Sequence, residues 1–182
     1  LARIIENPQQ LILSKAKEIL YTEGYMKLTM RNVSKACDIA LGTIYNYYPT
    51  KKDLVIEMMT DYWHGYINKT QDIVNSDNEF YHKLKLIFDD LSIFIRTFKE
   101  VWLKPELYDN SDYVKHGLQK QTMYIDKFVL LIEDILIKDN KVKNNLSSYE
   151  TAEFIVLNFI TIIQMPVFKY SSFEVILKEL LN

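Results

Sequence analysis

At 182 residues, with 48% hydrophobic and 25% charged residues but only four glycines and four prolines, the chain can bury a sizeable core and is composed for helix nearly throughout. Its net charge of −2 is not that of a generic polyanion binder, and its one cysteine excludes an intrachain disulfide. The charge is unevenly placed. Residues 1–55 carry eight Lys/Arg against five Asp/Glu, and the remainder fourteen against nineteen, so a mildly basic head (+3) precedes an acidic body (−5). That asymmetry suits a protein that touches nucleic acid with one end.

No secretory leader is visible, and with a lone thiol this points to a reducing cytoplasm; the missing initiator Met suggests a trimmed N-terminus. Residues before Pro8 read as a frayed arm, from which Arg3 has at most a weak claim on a groove. Pro8 to about Glu23 reads as the first helix, with Leu11, Ile12, Ala16, Ile19 and Leu20 inward and Gly24 ending it. Thr29 is an N-cap for a second helix, in which Met30, Val33, Ala36 and Cys37 fall at helical spacing. A break at residues 37–40 precedes a very short helix, Leu41 to Tyr47, which Pro49 ends. Thr50 opens the next helix with Asp53 as its capping-box partner.

Helix, tight turn and short helix is the layout of a helix-turn-helix, whose second helix enters the major groove of DNA. At 100° per residue Leu41, Ile44 and Tyr48 share the inward face, and Gly42, Thr43 and Asn46 lie opposite. Tyr45 and Tyr47 occupy the flanks, where phenol hydroxyls reach the two phosphate walls. Gly42 lets the backbone approach a duplex closely. Lys51 and Lys52, beside the free N–H groups of the following helix, make a phosphate site.

These residues resemble the DNA-binding domain of the TetR/AcrR family of transcriptional regulators. The resemblance rests on Thr29, on the run Gly42-Thr43-Ile44-Tyr45-Asn46-Tyr47-Tyr48, and on Pro49-Thr50-Lys51-Lys52-Asp53-Leu54. It implies DNA-contact roles for Thr43, Tyr45, Asn46 and Tyr47, a phosphate-binding role for Lys51, and a core role for Tyr48. Arg31 matches a position that reaches DNA in some members. Three residues depart from the pattern. Asp38 stands where the turn usually has Gly, and Ala40 where the recognition helix usually has a Ser cap. Leu41 replaces a polar residue, and either joins the core or touches a thymine methyl.

The helix opening at Thr50 has no break before about Asn75, too long for a small head alone, so its second half is expected to enter the body as a connector. A helix from about Glu79 to Lys99 follows, then a short segment at 104–108 and a long helix from Ser111 to about Lys138. Asp139 to Ser147 reads as a polar loop. Ser147 or Ser148 caps an apolar helix ending near Pro166, and Ser171 or Ser172 caps a last helix bearing Val175, Ile176, Leu177, Leu180 and Leu181. The expected architecture is all-α, with eight or nine helices. A three-helix head (1–54) is joined by a long connector helix to a ligand-binding and dimerisation domain (55–182).

The body carries more Tyr and Trp than a plain core needs. Trp63, Tyr66, Phe94, Phe98, Trp102, Tyr108, Tyr124 and Phe128, with Gln164, are the candidate lining of a pocket for an apolar, aromatic or cationic effector. An aromatic residue at helical spacing is more often simply core, so the cluster carries this expectation rather than any single ring. The resemblance also implies an effector cavity in the C-terminal domain and dimerisation through the last two helices. The apolar helix needs cover all round, which makes Phe154, Leu157, Ile160, Phe173, Ile176 and Leu177 the candidate dimer interface. The apolar stretch from Phe154 to Phe168 is interrupted by polar residues and falls short of the ~20 residues of a membrane span.

Nothing in the chain makes an active site. His64, His82 and His116 lack metal-ligand spacing, and the pair Asp89-Asp90 diverges by about 100° on a helix. No catalytic residue, metal or cofactor is expected. The leading function is a homodimeric, ligand-responsive repressor on a palindromic operator. The alternatives are a DNA-binding regulator or architectural protein without an effector, and an all-α interaction module with a degenerate helix-turn-helix.

Overall fold

The computed structural model describes residues 6–102, 111–142 and 146–181, with side chains from Thr122 onward in the second of these segments. Its elements are α1 (Pro8–Glu23), a 3-10 turn (Tyr25–Lys27), α2 (Met30–Cys37), α3 (Leu41–Tyr47), α4 (Lys51–Val74), α5 (Phe80–Trp102), α6 (Ser111–Lys138), α7 (Ser148–Gln164) and α8 (Tyr170–Leu181). Among the described residues there is no strand, as the low Gly and Pro content leads one to expect. The short segment expected at 104–108 lies outside the described residues.

Local chemistry accounts for most boundaries. Asn7 caps α1, its side chain accepting from the Gln10 N–H at 3.1 Å, and Pro8 occupies the first helical position, where no N–H is needed. Gly24 ends α1 at φ 86°, a value that favours glycine, and its N–H donates to the Ile19 and Leu20 carbonyls. Thr50 and Asp53 form the expected capping box: the Asp53 carboxylate accepts from the Thr50 N–H at 2.9 Å, and Thr50 Oγ1 from the Asp53 N–H at 3.2 Å. Ser147, rather than Ser148, caps α7. The last helix starts earlier than either serine cap. The Lys169 carbonyl accepts from the Ser172 and Phe173 N–H groups at 3.0 and 3.1 Å, and buried Tyr170 already belongs to α8.

The chain forms two compact units. The first holds α1 to α3, α4 as far as Trp63, and the end of α5 from Glu100. Its core is Ile12, Ala16, Ile19 and Leu20 of α1 with Leu28, Val33, Cys37, Ile44, Tyr48, Leu54 and Met58. It extends past Leu54 because α1 holds the second and third turns of α4, Lys17 pairing with Asp61. The second unit holds His64–Lys99 and the chain from α6 onward. There α7 buries Ala152, Ile155, Val156, Phe159 and Ile162, and Phe159 packs on Phe88, Tyr170 and Phe173 with ring centroids 5.3–6.0 Å apart.

Candidate nucleic-acid interface

The interface candidate is built on α2, the turn after it, and α3. Thr29 Oγ1 accepts from the Asn32 N–H at 3.1 Å, starting α2, while Asn32 Nδ2 reaches back to the Lys27 carbonyl at 2.8 Å. At the far end Asp38 takes the left-handed conformation (φ 52°, ψ 46°), the Asp38 N–H donates to the Lys35 carbonyl, and the Ile39 N–H to that of Ser34. That is the hydrogen-bond pattern of a Schellman ending, here with Asp in place of glycine. Ser34 Oγ donates to the Ile39 carbonyl at 2.6 Å and locks the turn from its other side. The angle at which α3 leaves α2 is thus held by three hydrogen bonds.

Ala40 offers α3 no side-chain cap, so tertiary packing holds this seven-residue helix. Ile44 is fully buried and Tyr48 nearly so. Gly42, Tyr45, Asn46 and Tyr47 are exposed, while Leu41 and Thr43 are half-buried. A Cβ built at Gly42 meets nothing within 4 Å, so the fold itself does not require glycine there. Thr29 and Arg31 are exposed at the start of α2. The exposed positions of α2 and α3 therefore carry small polar groups, two phenols and an arginine, while Ile44 and Tyr48 are sealed beneath.

Lys51 is placed differently from a free surface lysine. Its Nζ donates to the Tyr25 carbonyl at 3.2 Å and stands 3.5 Å from the centre of the Tyr25 ring. Burial lowers its pKa from the usual lysine value. The ammonium binds the 3-10 turn to the start of α4, a structural role that sequence spacing did not reveal. The turn has three residues and no apolar period, and its contact with Lys51 spans 26 positions.

In the second unit the structure brings together Tyr66, Phe94, Phe98 and Phe128. The Tyr66 ring lies 4.5 Å from Phe94 and 5.6 Å from Phe128, and Phe94 stacks on Phe98 at 6.1 Å. Tyr124 is buried with its ring edge-on to His64 at 5.7 Å. The Tyr66 hydroxyl is buried without a hydrogen-bond partner among the described residues, and burial first, then the charge of Asp90, raises its pKa far above the usual phenol value. It stays a neutral donor. Trp63 and Trp102 belong to the first unit, where Trp102 is fully buried against Tyr62. Gln164 is exposed at the end of α7, and Tyr108 lies outside the described residues.

Of the candidate dimer residues, Phe154, Leu157 and Ile176 are exposed and Ile160 is half-buried, whereas Phe173 and Leu177 are sealed within the unit. Met165, Val167, Phe168, Val175 and Leu180 are exposed apolar residues as well. Among the described residues no group of three His, Cys, Asp or Glu is arranged to hold a metal, and no helix is long and apolar enough to cross a membrane.

Comparison with known proteins agrees with this geometry. Residues 12–58 match the sequence model of the family described as "Bacterial regulatory proteins, tetR family". A curated relative, the uncharacterised HTH-type transcriptional regulator YuxN of Bacillus subtilis (strain 168), is 27% identical over 59 residues, or 32% of this chain. The match spans only one-fifth (20%) of that relative's length. A crystal structure of a transcriptional regulator from Cytophaga hutchinsonii superposes with a TM-score of 0.73 at 18% identity, covering 96% of this chain and 93% of that one. The regulator FadR from Bacillus subtilis, in complex with stearoyl-CoA, superposes at 0.57 with 17% identity, covering 94% of this chain and 96% of its own.

Proposed function

We propose that the chain is a transcriptional regulator of the tetR family, whose sequence model residues 12–58 match, and that it acts as a homodimeric, ligand-responsive repressor of a palindromic operator, working in the cytoplasm. The observation that carries this is the outward face of α3. Thr43 and Asn46 are the groups that hydrogen-bond base edges, and Tyr45 and Tyr47 reach the flanking phosphates. Arg31 and Thr29 add contacts from the start of α2, Leu41 meets a thymine methyl, and Gly42 lets the α3 backbone close on the duplex. Lys51 reaches phosphate only by leaving the Tyr25 carbonyl, and otherwise orders the start of α4.

The effector site is the aromatic group around Tyr66, whose unpaired hydroxyl supplies a hydrogen-bond donor to an otherwise apolar ligand. A protein of the same fold holds stearoyl-CoA, so long-chain acyl thioesters are the first ligands to test. The effector lowers operator affinity only as far as it prefers the conformation that does not fit the operator. Two copies joined through the exposed faces of α7 and α8 present two α3 helices to successive turns of one duplex, ~34–36 Å apart. The test is fluorescence anisotropy of the full chain on duplexes chosen from a random pool, with and without stearoyl-CoA. Sequence-selective, salt-dependent binding weakened by the ligand supports the reading, and binding indifferent to sequence rejects it.

A second reading is a DNA-binding regulator without a small-molecule effector. The 4.5 Å approach of the Tyr66 and Phe94 rings favours it, because rings so close leave little room between them. Absence of any thermal shift across acyl, aromatic and cationic ligands would select it.

A further inference from the structure

At one end of the α7–α8 hairpin an apolar cavity of about 270 Å³ opens between the start of α7 and the end of α8. Leu146, Phe154, Leu177, Leu180 and Leu181 line it, and Glu150 is the single charged residue in its wall. At the other end the connection from Met165 to Lys169 projects Met165 (62% exposed), Val167 (90%) and Phe168, with Lys169 the one charge beside them. This projection is stiff. The Val167 N–H donates to the Met165 carbonyl at 2.8 Å in a three-residue turn, and Pro166 fixes the backbone between them. The Met165 N–H still closes α7 on Thr161, and Lys169 starts α8 with its carbonyl.

We propose that the Met165–Lys169 connection of one protomer seats in this cavity of a second copy, with Lys169 against Glu150, and that the two-fold axis passes beside Leu157. This rests on the reading above that the chain dimerises through α7 and α8, and it specifies which atoms meet. Along α7 Glu150, Phe154, Leu157, Thr161 and Gln164 face solvent, spaced by three and four and so forming one stripe, with Tyr149 exposed beside its first member. An axis perpendicular to α7 at Leu157 exchanges the ends of that stripe. Position 154 then lies opposite position 160 of the other copy, beside Thr161, and position 150 lies opposite position 164, beside Met165. The same operation carries each projection to the other copy's cavity, so both are filled at once, as an isologous interface requires. At 1.5 Å per residue α7 is about 25 Å long, so the two seats lie about 20 Å apart with Leu157 between them.

Charge and chemistry agree with one occupant. The cavity is apolar with one acid, and the projection is apolar with one base. Among the described residues neither Glu150 nor Lys169 has an ion-pair partner within its own protomer. A stiff projection also loses little conformational entropy on docking. Ile176 and Leu180, exposed on α8, widen the same face.

Sedimentation equilibrium of the full chain at about 0.15 M salt, with Glu150→Lys, Lys169→Glu and the double exchange, tests the proposal. Each single change brings like charges together at two symmetry-related places and weakens the dimer about ten-fold or more, and the double exchange returns it to within about three-fold of wild type. A dimeric wild type whose single variants are unaffected, or whose double variant is no better than the worse single, overturns the pairing while leaving the dimer standing. A monomeric wild type overturns both. Because Cys37 is the only cysteine and is buried, Leu157→Cys adds a second readout: oxidation traps a disulfide-linked dimer if the axis runs beside that residue. Failure to cross-link in a dimeric preparation rejects the axis.

Discussion

Gly42 separates what the fold needs from what DNA needs. It is the second residue of α3, its surroundings leave open space where a Cβ would project, and glycine within a helix is destabilising by roughly 0.5–1 kcal/mol relative to alanine. Gly42→Ala should therefore raise stability. At a helix end, and in a helix without a side-chain cap at Ala40, the gain is expected at the lower figure, about 0.5 kcal/mol. For a chain of this size that is an increase of roughly 1–2 °C in Tm. If α3 docks as proposed, the same methyl would stand between its backbone and the duplex and enforce a separation that hydrogen bonds from Thr43 and Asn46 do not tolerate, so operator affinity should fall about ten-fold or more. Differential scanning calorimetry gives the first quantity and anisotropy titration on a selected duplex the second. The opposed signs are the diagnostic. A lower Tm would show that the fold needs glycine there after all, and an unchanged operator affinity would show that α3 does not approach DNA by this face.

Other substitutions probe other parts of the account. Tyr45→Phe should weaken operator binding with Tm near wild type, since the side chain is about half exposed (45%); a large loss of stability would place that ring in the core. Lys51→Met removes both the contact with Tyr25 and any phosphate contact. It should cost about 1–2 kcal/mol in denaturant unfolding and weaken binding to all duplexes alike, and a changed sequence preference would refute the assignment. Asp38→Gly should stabilise the head by up to about 1 kcal/mol by relieving the left-handed backbone, and a decrease in chemical denaturation would show that the Asp side chain contributes more than its backbone loses. Burial raises the Tyr66 pKa, so the folded chain keeps that proton at a pH where the unfolded chain releases it. The resulting stability is complete below about pH 10 and is lost as pH climbs from there toward the folded value. Tyr66→Phe should flatten that alkaline decline in urea unfolding curves, and an unchanged slope would assign it elsewhere.

Much of the head was legible because its signals are local. A capping residue and the group it binds lie within three positions, as Thr29 with Asn32 and Thr50 with Asp53 do, and the starts of α2 and α4 follow from them. Ile44 and Tyr48 separate from Asn46 on a helical wheel because 3.6 residues per turn leaves no other arrangement in so short a helix. The docking of Lys51 on Tyr25 was not legible, since it depends on where α1 and the 3-10 turn come to rest in space. Nor was the orientation of α8. Val175, Ile176, Leu177, Leu180 and Leu181 are all apolar, and only packing decides that Leu177 and Leu181 turn inward while the others face out. The start of α8 was misread for a related reason. Two adjacent serines are a strong cap signal, but burying the Tyr170 ring against Phe88 and Phe159 draws the helix start ahead of them.

The central claim is that the outward face of α3 reads base edges, and Asn46→Ala tests it most directly. Titrated against a selected operator and a scrambled duplex over a range of salt, the variant should lose about 1–3 kcal/mol on the operator, with scrambled-duplex affinity and salt slope unchanged. Equal losses on the two duplexes, or no loss on either, would contradict it.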